Sequence, residues 1–332
     1  MAEDWLVLSD RAALTEDAGD LVHSGLFVVE LALPLTDPAV LLDFQTTDGW
    51  PRTFTLFHDP MAGFVLIHRQ GQSVARHALA GPIAPYVGTA RLSLRFDAPG
   101  RVWEFRLDHL DAEGRPSVMA KGRNPLPLRP QDLVALSHGR GGGRRHPSVL
   151  WFGLTRGADL PARAPWIGQR TPVETARGPV LAGNLRPGDL VATADGGLLP
   201  LRQIVRLDLP ACGSFAPVIL RAPFYGSSHD LLVSADQRIV LSGPEVEYSF
   251  GEDEVLVDAA ALVDGRTALA DQRRAVASVL RLEFDHPAML VADGCALWMA
   301  SRGQHTPLRM LQPYEVLTLM TLWGRSGPRR VA

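Results

Sequence analysis

Asp230-Leu-Leu-Val-Ser-Ala-Asp-Gln-Arg-Ile239 reads as two short β segments, Leu231 to Ser234 and Arg238 to Leu241, with Ser234 and Gln237 three residues apart where they meet. An amide such as Gln237 holds geometry through hydrogen bonds, yet it does not titrate near neutral pH and cannot act as a general acid or base. Short β segments continue on the upstream side, with Pro217 to Leu220 the clearest. Further upstream, Asn184-Leu-Arg-Pro-Gly-Asp-Leu-Val191 centres on an ordinary turn, in which Pro187 presets φ and Gly188 supplies flexibility. No single stretch of this kind is diagnostic.

Four stretches together are more specific: Thr175 to Gly178 with Asn184 to Val191, Arg221 to Gly243, Phe250 to Val257, and Leu282 to Gly294. In order and spacing they resemble the bacterial Hedgehog/intein (Hint) self-processing family, over about the central third of the chain. The resemblance implies a compact, horseshoe-like, all-β domain whose two-fold related halves close around a cleavage site. It also implies a Cys twelve residues before Gly178, and that position is Trp166. The chemistry needs a thiol or hydroxyl there to attack the preceding carbonyl, which an indole cannot do. The family places an imidazole three residues after the position of Ser234, where this chain has Gln237. A second imidazole is implied two residues after Phe284-Asp285, at Pro287, with His286 one place early. Losing one member of a cooperating catalytic set typically costs orders of magnitude in rate, so three losses predict an inert scaffold. The alternative is autoprocessing by a substitute nucleophile, Thr171, Cys212 or Cys295. Thr171 reads as a strand residue with a solvated hydroxyl, and both cysteines as small buried hydrophobes.

The chain has 332 residues, 46% of them hydrophobic and 21% charged, which suits two independent cores. A net charge of −3 lacks the basic excess of a dedicated nucleic-acid surface. No Cys-x-x-Cys or His-Glu-x-x-His spacing offers a zinc site, so no metal or cofactor is expected. The start Met-Ala-Glu-Asp-Trp-Leu-Val-Leu lacks the features of a secretory signal and predicts a cytoplasmic start, with signal-independent export left open. No apolar run approaches the ~20 residues that span a bilayer, so no membrane insertion is expected. The glycine-aspartate repeats of some exported relatives are missing.

The first 156 residues read as a separate β-sandwich. Arg91 to Asp97 alternates, with Leu92, Leu94 and Phe96 on one face, and Arg101 to Leu107 places Trp103, Phe105 and Leu107 on one face. Asp97-Ala-Pro-Gly100 fits the hairpin turn between them. Leu26 to Leu33, Thr53 to Phe57, Phe64 to His68 and Ser148 to Leu154 add four candidate strands, and no helix stands out. This order is similar to laminin-G or concanavalin-type jelly-roll sandwiches, which implies glycan or surface binding. The facing carboxylates of a glycosidase are missing. Trp50, Phe57, Tyr86 and Trp103 are the aromatics available to a ligand. Ser137-His-Gly-Arg-Gly-Gly-Gly-Arg-Arg-His146 gathers Arg140, Arg144 and Arg145, which suits either an anion cradle or a mobile hairpin tip.

Residues 157–165 are proline-rich and read as a linker, 166–297 as the Hint-like domain and 298–332 as a helical extension. Asp258 to Gly265 is expected to form a short helix with Asp258 as cap. A longer helix is expected from Pro313 to Trp323, ending at Gly324, with Leu311, Tyr314, Leu317 and Met320 facing inward. The tail from Arg325 to Arg330 is expected to be disordered. The whole reads as a mostly β, two-domain protein with a protein or glycan partner.

Overall fold

A computed structural model describes residues 5–10, 21–111, 115–157, 159–160, 164–300, 306 and 308–326. The chain divides into two compact units, Met1–Leu160 and Pro161–Ala332. Residues 158 and 161–163 of the expected linker, and 327–330 of the expected disordered tail, lie outside the described residues.

The first unit contains β1 (Trp5–Leu8), β2 (Ser24–Leu33), β3 (Ala39–Thr46), β4 (Arg52–Asp59), β5 (Gly63–Gln70), β6 (Ser73–Ala80), β7 (Gly88–Asp97), β8 (Val102–His109), β9 (Val118–Arg123), helix α1 (Pro130–Ser137), β10 (Arg144–Arg145) and β11 (Val149–Thr155). They form two antiparallel sheets, in the orders β1-β11-β2-β7-β8-β9 and β10-β3-β4-β5-β6. Alternation drives the packing: along β4, Arg52, Phe54, Leu56 and His58 are buried while their neighbours are half-buried. Phe27 of one sheet meets Phe54 of the other edge to face at 4.9 Å, closing a sandwich core. The β7–β8 hairpin pairs Phe96 with Trp103 through the turn at Asp97 to Gly100, as its alternation predicts.

Two expectations change here. A helix does form in this unit: Pro130 occupies the first turn of α1, and Leu133 and Leu136 are buried. At eight residues it is too short for its period to stand out. The glycine- and arginine-rich segment is not a free hairpin tip either. It makes a 3₁₀ turn at Arg140–Gly142, and β10 then adds to the sheet edge by pairing Arg144 with Asp43 and Arg145 with Leu42.

The second unit contains β12 (Ile167–Gly168), β13 (Pro172–Thr175), β14 (Gly178–Leu181), β15 (Leu190–Ala192), β16 (Leu198–Pro200), β17 (Gln203–Pro210), β18 (Val218–Leu220), β19 (Leu231–Val233), β20 (Arg238–Ser242), helix α2 (Pro244–Phe250), β21 (Glu254–Asp258), β22 (Ala268–Ala270), β23 (Val276–Glu283), β24 (Ala288–Ala292), β25 (Cys295–Met299), β26 (Arg309–Met310) and helix α3 (Pro313–Ser326). Its sheets run β17-β23-β12-β19-β18-β22, β14-β13-β15-β16 and β24-β25-β20-β21-β26 around one core. The position expected to end the domain, after Leu297, falls inside β25, and α3 packs into the same core.

Two helical expectations are corrected. Asp258 to Gly265 yields only a 3₁₀ turn, Ala259–Leu262, and the Asp258 carboxylate lies 3.8 Å from Arg238 rather than capping it. Helix α3 runs through Gly324 to Ser326. Its buried face is Val316 and Leu319, with Met320 and Trp323 half-buried, whereas Tyr314 and Leu317 are 69% and 66% exposed. Leu311 and Met320 do face the core, so the predicted stripe is rotated by about one residue. At the start of α3 the Gln312 N–H donates to Glu315 Oε2 at 2.8 Å, a capping arrangement that fixes the entry.

Candidate functional site

Strand β12 sits between β19 and β23, Ile167 pairing with both Val233 and Leu280. The ladder continues one residue upstream. The Ser234 N–H donates to the Trp166 carbonyl at 3.0 Å, and the Trp166 N–H donates to Ser234 Oγ at 3.4 Å. Trp166 and Ser234 are 4% and 2% exposed. Ser234 therefore holds the N–H of the Pro165–Trp166 peptide, where the family resemblance places the chemistry, and the carbonyl of the peptide that follows it.

Gln237 is joined to Ser234 by a tight turn, its N–H donating to the Ser234 carbonyl at 3.0 Å. The 3₁₀ turn after β21 fastens the same place, because the Ala259 N–H donates to the Gln237 carbonyl at 2.8 Å. The fully buried Gln237 amide donates to the carbonyls of Arg238 at 3.1 Å and Trp298 at 3.0 Å. Its own Oε1 is buried with no partner among the described residues. Both amide protons are thus committed to backbone, tying the β19–β20 turn to β25. The side chain works as a strut and has no proton to exchange near neutral pH.

Trp166, Ser234 and Gln237 come together, and the remaining predicted positions are looser. Asp285 bonds Arg202 at 2.6 Å and is about half exposed. Pro287 precedes Ala288, which pairs with Met299, and β25 lies between β24 and β20. That puts Pro287 about two strand spacings, roughly 10 Å, from the Gln237 strand. His286 is exposed.

The substitute nucleophiles fare poorly. Thr171 is not a solvated strand residue: it sits in the connection between β12 and β13, 2% exposed, with no partner for its hydroxyl among the described residues. Cys295 is buried in β25, where desolvation, then the Asp293 charge, pushes its thiol up to about 12 and leaves it unreactive. Cys212 is half-buried rather than buried, just before the 3₁₀ turn Gly213–Phe215.

In the first unit the proposed ligand contacts do not share a site. Trp50, 40% exposed, lies in the β3–β4 turn, donates to Gln70 at 3.2 Å, and has the Arg52 and Arg129 guanidinium groups 4.8 and 5.4 Å from its ring. Trp103 belongs to the other sheet and is half-buried. Its Nε1 donates to the Arg123 carbonyl, its ring meets His77 at 4.7 Å, and Gly122 leaves the room the indole fills. Phe57 is half-buried on β4, and the Tyr86 hydroxyl accepts from the Asp111 N–H at 3.1 Å. Arg140 and Arg144 are exposed, while Arg145 pairs with Asp10 at 2.6 Å. Among the described residues, no group of three or more His, Cys, Asp or Glu is placed to hold a metal ion. No helix among them is long and apolar enough to cross a membrane.

Sequence reading missed three buried histidines. His58, His68 and His77 lie on the inward faces of β4, β5 and β6, 7%, 4% and 1% exposed. Desolvation lowers all three pKa values, His68 to about 3 with a further push from His77, and His77 to about 4. Their spacings of ten and nine residues carry no periodic signal. Strand register sets His77 opposite Leu66, two residues from His68, while His58 faces Phe64, four residues along β5 from His68.

The Hint domain sequence profile matches residues 168–299. No curated protein sequence matches significantly. Among solved structures, the gp41-1 intein is similar at 11% identity, with 42% of this chain and 100% of that chain covered and a TM-score of 0.25. The MchDnaB-1 intein is similar at 17% identity, covering 40% and 99%, with a TM-score of 0.25. The Ruminococcus gnavus IT-sialidase CBM40 bound to alpha2,6 sialyllactose is similar at 11% identity, covering 47% and 92%, with a TM-score of 0.26. The second unit of this chain carries a Hint domain, residues 168–299.

Proposed function

We propose that this Hint domain is catalytically inactive and serves as a structural or interaction module attached to the sandwich. The observation that carries the reading is the pairing of an indole at Trp166, where a nucleophile would stand, with a Gln237 amide whose two protons are committed to the carbonyls of Arg238 and Trp298. Acyl transfer from the Pro165 carbonyl needs a thiol or hydroxyl to attack it and an acid to protonate the leaving nitrogen. The Ser234 hydroxyl accepts from the Trp166 N–H, Trp166 itself offers no thiol or hydroxyl, and the Gln237 amide offers no acid. Prolonged incubation of the purified chain with a thiol, followed by intact-mass measurement, is expected to return one uncut species. Fragments divided between Pro165 and Trp166 would overturn the reading in favour of residual autoprocessing.

A second reading concerns the sandwich, and Trp50 favours it: an exposed indole framed by two guanidinium groups suits stacking on the ring of an acidic sugar. Glycan-array binding that disappears in a folded Trp50→Ala variant would support this role. An array without Trp50-dependent binding would remove it.

A further inference from the structure

A cavity of about 190 Å³ lies within the second unit, and none of Trp166, Ser234 and Gln237 lines it. Its walls are aromatic: Phe224, Tyr225 and Trp323 line it, with the Tyr225 and Trp323 rings edge to face at 6.1 Å. Met320, one turn before Trp323 on α3, adds a polarisable thioether. The backbone around it is constrained. Tyr225 holds φ at +61°, a region that non-glycine residues rarely enter, and a Cβ on Gly294 would come 2.6 Å from the Gly226 carbonyl oxygen. Such geometry persists only where its surroundings fix it, and it gathers at ligand sites.

The polar groups have a clear sign. Ser242 and Glu254 are direct partners across β20 and β21, so their side chains share a face, and both line the cavity. The Glu254 carboxylate makes no hydrogen bond or ion pair among the described residues. The Tyr225 hydroxyl bonds Thr267 Oγ1 at 2.7 Å, and that hydroxyl bonds Asp264 at 3.0 Å. Burial opposes the charge on Asp264, but hydrogen bonds from the backbone of Arg266, Ala268 and Thr267 and from the Thr267 hydroxyl outweigh it and lower its pKa. Two carboxylates and three electron-rich rings therefore face one guanidinium, Arg266, which is solvent-exposed.

We propose that this cavity binds a small organic cation, an amine on an aromatic or compact apolar body, with its ammonium at Glu254 and its body against Tyr225 and Trp323. Ring faces and an unpartnered carboxylate attract a cation and repel an anion, and a partly enclosed apolar wall strengthens both effects.

Calorimetric titration of the full chain with phenethylamine, 2-phenylethanol and 3-phenylpropanoate separates charge from shape. Phenethylamine is expected to saturate, the alcohol to bind about tenfold more weakly, and the carboxylate to give no heat. Glu254→Gln is expected to weaken the amine about tenfold while leaving the alcohol unchanged. Ala296→Leu, which fills the cavity from β25, is expected to abolish binding of both with an unaltered circular dichroism spectrum. The proposal is overturned if the wild-type chain binds no amine, if amine and alcohol bind equally, or if Glu254→Gln changes nothing.

Discussion

Acid should loosen the sandwich through His68 and His77, and the size of the effect follows from their burial. Both imidazoles are buried and neutral, with pKa values of about 3 and about 4 against 6.5 in an unfolded chain. As pH falls below 6.5 the unfolded chain takes up protons that the folded unit refuses. Stability is therefore fully present above about pH 6.5 and declines as pH falls towards the folded values. Each group contributes about 1.4 kcal/mol per pH unit over that window, so going from pH 7 to pH 5 removes about 2 kcal/mol for each histidine and about 4 for the pair. That is a large part of a typical domain stability of ~5–15 kcal/mol. His58 and His109, whose pKa values burial also lowers, act in the same direction. Hydrogen-exchange protection of β4 to β6, corrected for intrinsic rates, measures the effect in this unit alone. The double variant His68→Leu/His77→Phe should lose most of the pH dependence. An undiminished acid loss in that variant would refute the reasoning.

Three further outcomes test the second unit. Gln237→Leu leaves the carbonyls of Arg238 and Trp298 without their donors and should cost about 2 kcal/mol in urea denaturation; no loss would show that the strut contributes nothing. Leu319→Ala, at a fully buried position of α3, should cost about 2–5 kcal/mol, whereas Leu317→Ser, on the exposed face, should stay within about 0.5 kcal/mol. The double variant Trp166→Cys/Gln237→His should show thiol-dependent cleavage after Pro165 by mass spectrometry, with neither single variant doing so. Persistent inertness of the folded double variant would mean that the defect extends beyond these two side chains.

Much of the fold was legible because alternation is a strong signal on half-buried strands. The β7–β8 hairpin follows from Leu92, Leu94 and Phe96 facing Phe105 and Leu107. In the first unit, the sequence gives no reading of β1, β3, β6, β9 or β10 as strands. β1 is buried at all four positions, so it has no alternation to read, while β9 alternates only between half-buried and exposed. Helix α3 was anticipated but turned the wrong way, because Tyr314 and Leu317 are apolar by type yet point to solvent, and Val316 and Leu319 take the core. At the site, the family resemblance related Trp166, Ser234 and Gln237, and backbone hydrogen bonds join them in space. The amine cavity could not have been read from sequence. Its lining comes from segments around residues 225, 241, 254, 266, 295 and 322 that only the fold assembles.

Hydroxylamine trapping across residues 157–170, read by peptide mass spectrometry, bears most directly on the inert character of the domain. A chain with no nucleophile at Trp166 should yield only the unmodified peptide spanning Pro165 and Trp166, at any incubation time. A hydroxamate at the Pro165 carbonyl would prove that an acyl intermediate forms, and would contradict the account.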